Sequence, residues 1–570
     1  MNGDILTKEY LNDPNTVDFV VRNSEDFKAY SKDKPEVKLV QTLSDRYIVG
    51  YTDRQHIEDI IENLGVGYYS QPPLTMGLLG NADLDASGIT NILQQQDLSL
   101  TGSGVIIGFV DTGIDFTNDI FRNEDGTSRI ISIFDQTVSG TPPLGNVIGH
   151  EYTNEQINRA LKNLNPYEIV PHRDTVGHGT FLASVAAGKN IGAFSGAAPE
   201  AELIVVKLKK ARPYYLEKYL IPPEQENVYQ SSDVMTGVDY IINKAKELKR
   251  PVAICIGVGT NLGYHDGYGI LEEYLTTVGG FKGVCLCTAA GNECRSGHHT
   301  QGEIERTGET KDIKVHVGGN KSKNNNLYIS IRNTFTDLMS VTVKSPLGEI
   351  VGKVPPRSGA VLSSQLCFSK CKVIIEYHFP LIENSAQETI IKILNANPGV
   401  WTITITGDII LDGSYHAYLP LKGLCYPDVH FLEPSPDYTV VVPATCTGSI
   451  TCAAYDIKSN ELYPDSSRGP TLLPAMSPDL AAPGVKIGGY FPEGYGSMSG
   501  TSVSAAITAG VCALMLQWGI VEKNNTDMST YQIRTYLIRG CLRDDGIVYP
   551  NTQWGYGKLN LSNTFKLMQQ

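Results

Sequence analysis

The stretch GVIIGFVDTGID, Gly104 to Asp115, decides the fold. Its first half is apolar on both faces, rich in β-branched residues and bounded by glycine, as a strand inside a helix-covered parallel sheet reads. Three later runs repeat the pattern: ELIVVKL, VAICIGVG and GVCLCTAAG. Helical patterns lie between and around them, in FLASVAAG, DVMTGVDYIINKAKELK and LEEYLTT. This alternation predicts an α/β, doubly wound domain. Asp111 closes the first run, where open α/β sheets build their sites.

The rhythm breaks near Cys294 and returns near Tyr438. Between them NLYISIRN, SVTVKSP, KVIIEYHF, ETIIKIL and VWTITITG alternate with period two, which predicts an inserted antiparallel β domain, a sandwich or jelly roll. Its expected role is to rigidify the molecule. Toward the N-terminus, RYIVGYT (Arg46 to Thr52) reads as a strand and HIEDIIENLG as an amphipathic helix closed by Gly65, together a small α+β unit. SQPP (Ser70 to Pro73) then suggests an exposed boundary. The expected division is 1–71, 72–293, 294–437 and 438–570.

A chain of 570 residues exceeds one ordinary core, and its hydrophobic fraction of 41% suits a globular protein. No apolar run of about 20 residues stands out as a bilayer span, and MNGDILTKEYLNDPNTVDF lacks the basic-then-apolar pattern of a secretory signal. The expectation is an intracellular protein with no membrane span. A net charge of −14 argues against a nucleic-acid partner. The eleven cysteines sit mostly in apolar contexts, as in Cys255, Cys285, Cys287 and Cys512, and read as buried small hydrophobes in a reducing compartment. Cys367 with Cys371 and Cys446 with Cys452 lack the further ligands of a zinc site, so neither metal nor cofactor is expected.

Three stretches share one design. Asp111 ends an apolar strand, His178 lies between glycines in DTVGHGTFLASVAAG, and Ser502 follows a glycine-rich approach in GSMSGTSVSAAITAG. Singly, each has a plain reading as a cap or turn residue. Together, in the order Asp, His, Ser, they match a known chain order of the serine-protease triad, the one subtilisin has. A serine hydroxyl needs a neighbouring base to attack a carbonyl; His178 would be that base, and Asp111 would hold its tautomer. Asn292, at the end of GVCLCTAAGNE, would donate to the developing oxyanion beside the Ser502 N–H.

These residues resemble the subtilisin-like serine proteases through DTGID, GHGT, TAAGNE, SSRGP, PDLAAPG and SGTSVSAAITAG. The whole chain looks more narrowly like the clostridial Csp proteases of spore germination, with DLDASGIT (Asp83 to Thr90) in support. The resemblance implies a subtilisin-like three-layer core, residues 1–71 as a prodomain that is cut off near Ser70 or Gln71, and a jelly-roll insert. It further implies limited proteolysis of a cortex-lytic hydrolase precursor inside the spore. Pro72 makes a cut after Gln71 awkward. The chain departs from the family pattern at Ala506 and Ile507, where Pro and His are usual, and at Gly257-Val258-Gly259, the substrate-binding strand that usually reads Ser-Leu-Gly. A catalytically silent signalling relative and a general intracellular subtilase are the alternative readings.

Overall fold

In the computed structural model, residues 8–68, 70–83, 100–192, 194–319, 325–334, 336–379, 386–472 and 475–569 are described. Most of DLDASGIT lies outside them. The apolar runs become the middle of a nine-stranded sheet. From one edge its order is Glu461–Leu462, Ile450–Asp456, Val284–Ala289, Val252–Ile256, Ile106–Asp111, Glu202–Lys207, Ile130–Asp135 and His150–Thr153, with Leu480–Pro483 also pairing with Ile450–Asp456. Every pairing is parallel except those of the short strands Glu461–Leu462 and His150–Thr153. Strand Ile106–Asp111 is buried along its whole length, so it needs no polar face. Helix His178–Ala187 packs on Thr501–Leu516, and Ser231–Leu248 on Ile270–Gly279.

Helix Thr501–Leu516 is buried at all sixteen residues and continues through Val521. Contrary to the sequence reading, Thr501–Val521 is long and apolar enough to cross a bilayer, because small Ala, Ser, Thr and Gly residues hide the run. Nearly all of it is buried inside this molecule, as a core helix is.

The N-terminal unit forms a four-stranded antiparallel sheet in the order Val37–Leu43, Tyr47–Asp53, Thr16–Arg22, Ser70–Gln71. Helix Ile57–Tyr68 does not stop at Gly65 but carries the chain into the last strand. The unit docks through Asp18, which is 2% exposed. It accepts from Arg212 Nε at 2.8 Å, Gln230 Nε2 at 3.1 Å and Ser232 Oγ at 2.6 Å. Burial alone would raise its pKa, but Arg212 and Lys209, with the Ser232 and Gln230 hydrogen bonds, hold it below the ordinary carboxylate value. Such a group stabilises above its unfolded-state pKa, and that stability disappears as pH falls through the lower folded-state value. Asp18→Ala should therefore weaken docking by about 3–5 kcal/mol, the penalty for leaving Arg212 buried and unpaired. Denaturant titration of the purified variant, with the wild type beside it at pH 7 and pH 3, measures the difference.

Residues His299 to Phe431 form two antiparallel sheets around their own core. One sheet has six strands and the other five. Trp401, Ile403 and Ile405 alternate inward along Gly399–Ile409, the period-two pattern of the sequence.

Candidate active site

Strand Ile106–Asp111 delivers Asp111, the first turn of helix His178–Ala187 delivers His178, and the first turn of Thr501–Leu516 delivers Ser502. His178 Nδ1 lies 2.7 Å from Asp111 Oδ1, and His178 Nε2 lies 3.1 Å from Ser502 Oγ. The Asp111 carboxylate also accepts the Thr112 N–H at 2.8 Å. Gly257 makes room for the pair: a Cβ there would fall 2.7 Å from Asp111 Oδ2 and 3.1 Å from His178 Cε1. An acceptor on Nδ1 leaves Nε2 free to take the hydroxyl proton.

Asn292 completes the arrangement. Its Oδ1 accepts from the Thr501 N–H at 3.1 Å and the Thr501 hydroxyl at 3.2 Å, which turns Nδ2 toward the cleft. There Nδ2 donates to the Leu79 carbonyl at 2.6 Å, and the Ser502 N–H donates to the same oxygen at 3.3 Å. Two donors on one peptide carbonyl beside a serine–histidine pair suit stabilisation of a tetrahedral oxyanion. Gly500, at φ 150°, permits the approach, since a Cβ there would stand 2.7 Å from the Leu79 oxygen.

The chain itself fills the cleft. Strand Thr75–Leu78 lies between Tyr229–Gln230 and Val258–Gly259, antiparallel to both, with Leu78 opposite Val258 and Gly77 opposite Gly259. The Leu79 N–H donates to the Gly257 carbonyl at 3.2 Å. Beyond the carbonyl, Asn81–Asp83 pairs with Gly494–Ser499. A Cβ on Gly80 would stand 2.6 Å from Ser502 Oγ and 3.0 Å from His178 Nε2.

All three residues of the expected substrate strand, Gly257, Val258 and Gly259, thus line the cleft. Ser70 and Gln71 do not: they close the N-terminal sheet by pairing with Val21 and Val20. The peptide beside Ser502 is Leu79–Gly80. Between the N-terminal sheet and the cleft strand Thr75–Leu78, Pro73 and Leu74 are buried and Pro72 is half-buried, where the sequence suggests an exposed boundary. A signal for the cleft strand was present in TMGLLG, an apolar run after two prolines that ends on glycine. Tyr229–Gln230 and Thr501 carry no such signal, since their roles depend on chain brought from elsewhere.

Next to Asn292, buried Glu293 accepts from Asn261 Nδ2 at 2.8 Å and from the Lys422 N–H at 3.2 Å. His298 places Nδ1 2.8 Å from the Pro420 carbonyl and Nε2 3.1 Å from the Val429 carbonyl, so both nitrogens face acceptors. Burial opposes its charge, yet Cys425 and Glu293 carry its pKa well above the ordinary imidazole value. A raised pKa gives stability that is full below the unfolded-state value and lost as pH rises through the folded-state one. His298→Gln should lose about 1–3 kcal/mol at pH 6, a charge-assisted bond's worth, and the gap to wild type should narrow in alkali. Melting temperatures across pH for both proteins check this.

The fold and this site define a serine endopeptidase of the subtilisin type. Residues 102–343 and 432–557 match the model of the Subtilase family, Peptidase S8, and the chain belongs to that family. Among solved structures, the CspB protease of Clostridium perfringens is similar, with 30% identity, a TM-score of 0.73, and coverage of 85% of this chain and 98% of that one. Among curated proteins, Subtilisin-like protease SBT2.2 of Arabidopsis thaliana is 35% identical over 126 residues, 19% of this chain and 15% of its own length. Minor extracellular protease Vpr of Bacillus subtilis is 34% identical over 112 residues, 18% of this chain and 13% of its own. The chain thus spans a small part of these curated relatives.

Proposed function

We propose that the protein first cuts itself between Leu79 and Gly80 and then acts by limited proteolysis on another protein. The observation that carries the reading is the Leu79 carbonyl, held by Asn292 Nδ2 and the Ser502 N–H beside the His178–Ser502 pair. In this mechanism Ser502 Oγ bonds to the Leu79 carbonyl carbon while His178 Nε2 takes its proton. Asp111 stabilises the imidazolium, and Asn292 with the Ser502 N–H holds the oxyanion. The carbon–nitrogen bond breaks as His178 returns the proton to the Gly80 nitrogen. Water, deprotonated by His178, then releases Leu79 as a carboxylate and restores Ser502.

On this reading the segment before Gly80 is the prodomain, and residues His299 to Phe431 are a jelly-roll insert. Following the resemblance of its motifs to the clostridial Csp proteases, this reading takes the protein as an intracellular enzyme of the spore whose substrate is a cortex-lytic hydrolase precursor. A fluorophosphonate probe tests the enzyme: it should label wild type and not Ser502→Ala. Incubation with a purified cortex-lytic hydrolase precursor should then give one discrete product; many fragments would mark a general protease, and failure to label a folded wild type would mark a silent one.

A further inference from the structure

Gly77, the third residue before the Leu79–Gly80 peptide, faces the inserted β unit. A Cβ on Gly77 would stand 2.9 Å from Leu421 Cδ2 and 3.4 Å from Leu424 Cγ. Both leucines come from the turn after strand Ser414–Tyr418, a part of the insert and not of the α/β core. They are 2% and 4% exposed and join the hydrophobic core of the core domain, together with Met76 and Leu79.

The turn is held where it stands. The Leu424 N–H donates to the Leu421 carbonyl at 2.7 Å, Glu293 accepts the Lys422 N–H, and His298 bridges the Pro420 and Val429 carbonyls. The leucine side chains are therefore packed from behind and pinned through their backbone. A residue opposite Gly259 in an edge-added substrate strand is fixed by main-chain pairing, so it cannot slide away from them.

We propose that Leu421 and Leu424 are specificity-determining residues, which make the enzyme select protein segments with glycine three residues before the cut. With the rest of the bound segment, this defines the substrate class as an extended apolar stretch of the form Met-Gly-Leu-Leu before the cut and Gly after it. The small residue after the cut is required by the closeness of Gly80 to Ser502 Oγ and His178 Nε2. The inference rests on self-cleavage at Leu79–Gly80.

Self-cleavage of the full chain tests it, timed by appearance of the fragment beginning at Gly80. Gly77→Leu should slow the cut about 10- to 100-fold, the effect of overpacking a filled site. Adding Leu421→Ala and Leu424→Ala to Gly77→Leu should restore the rate toward wild type, which a chain that simply misfolds would not do. A Gly77→Leu protein that cuts itself as fast as wild type overturns the proposal and leaves self-cleavage standing. So does a slow Gly77→Leu protein that the two alanines do not rescue. A wild type that never cuts at Leu79–Gly80 overturns the self-cleavage reading, and this one with it.

Discussion

Ser502→Ala should leave a folded, full-length protein with no measurable self-cleavage. The hydroxyl is buried against His178 Nε2 at 3.1 Å, and its removal takes away one small polar contact while the helix around it stays packed. The chemistry has no substitute. In subtilisin itself, loss of the triad serine lowers kcat by about 10⁶-fold, and the activity that remains after such a loss comes from the oxyanion donors and binding alone. The same magnitude is expected here, on the Leu79–Gly80 peptide and on any second substrate. Intact mass and fluorophosphonate labelling check it together: full mass without label is the expected pair.

Asn292→Ala should be the next most damaging change. Loss of one such donor in subtilisin lowers kcat by about 10²- to 10³-fold, and the donor here is short, at 2.6 Å, on the oxygen that would become the oxyanion. Substrate strand pairing runs through Gly257, Val258 and Gly259 and does not involve this side chain. KM should therefore change little while kcat falls. Thr501 loses an acceptor in the variant, so Asn292→Asp is the useful companion: it keeps that acceptor yet brings a negative charge to the oxyanion and should be at least as slow.

The α/β core is legible in sequence because its central strands, Ile106–Asp111, Val252–Ile256 and Val284–Ala289, are buried and apolar on both faces, a pattern few other elements share; the short polar strands His150–Thr153 and Glu461–Leu462 carry no such mark. Asp111, His178, Asn292 and Ser502 are legible because each sits at or just past an element's end with a glycine within two residues, and close backbone approach leaves that mark. The cleft segment is harder. Thr75–Leu79 is too short for periodicity to assign, and its partners, Tyr229–Gln230 and Val258–Gly259, lie more than a hundred residues away. The two prolines mislead by the same logic that usually helps: they end regular structure, but the residues after them here form a strand laid in the active site. Leu421 and Leu424 could not be placed from sequence, because an insert read as a closed β unit gives no reason for its turn to reach the cleft. Glu293 and His298, which pin that turn, look like ordinary polar residues until Lys422, Pro420 and Val429 are brought against them.

Binding of Leu79–Gly80 as the substrate of Asp111, His178 and Ser502 is the claim on which the rest depends. Intact mass and N-terminal sequencing of the purified wild-type protein test it most directly. Two fragments, one ending at Leu79 and one beginning at Gly80, are the result expected. A single full-length species that stays whole on incubation, or a new N-terminus at Ser70, Gln71 or elsewhere, would contradict it.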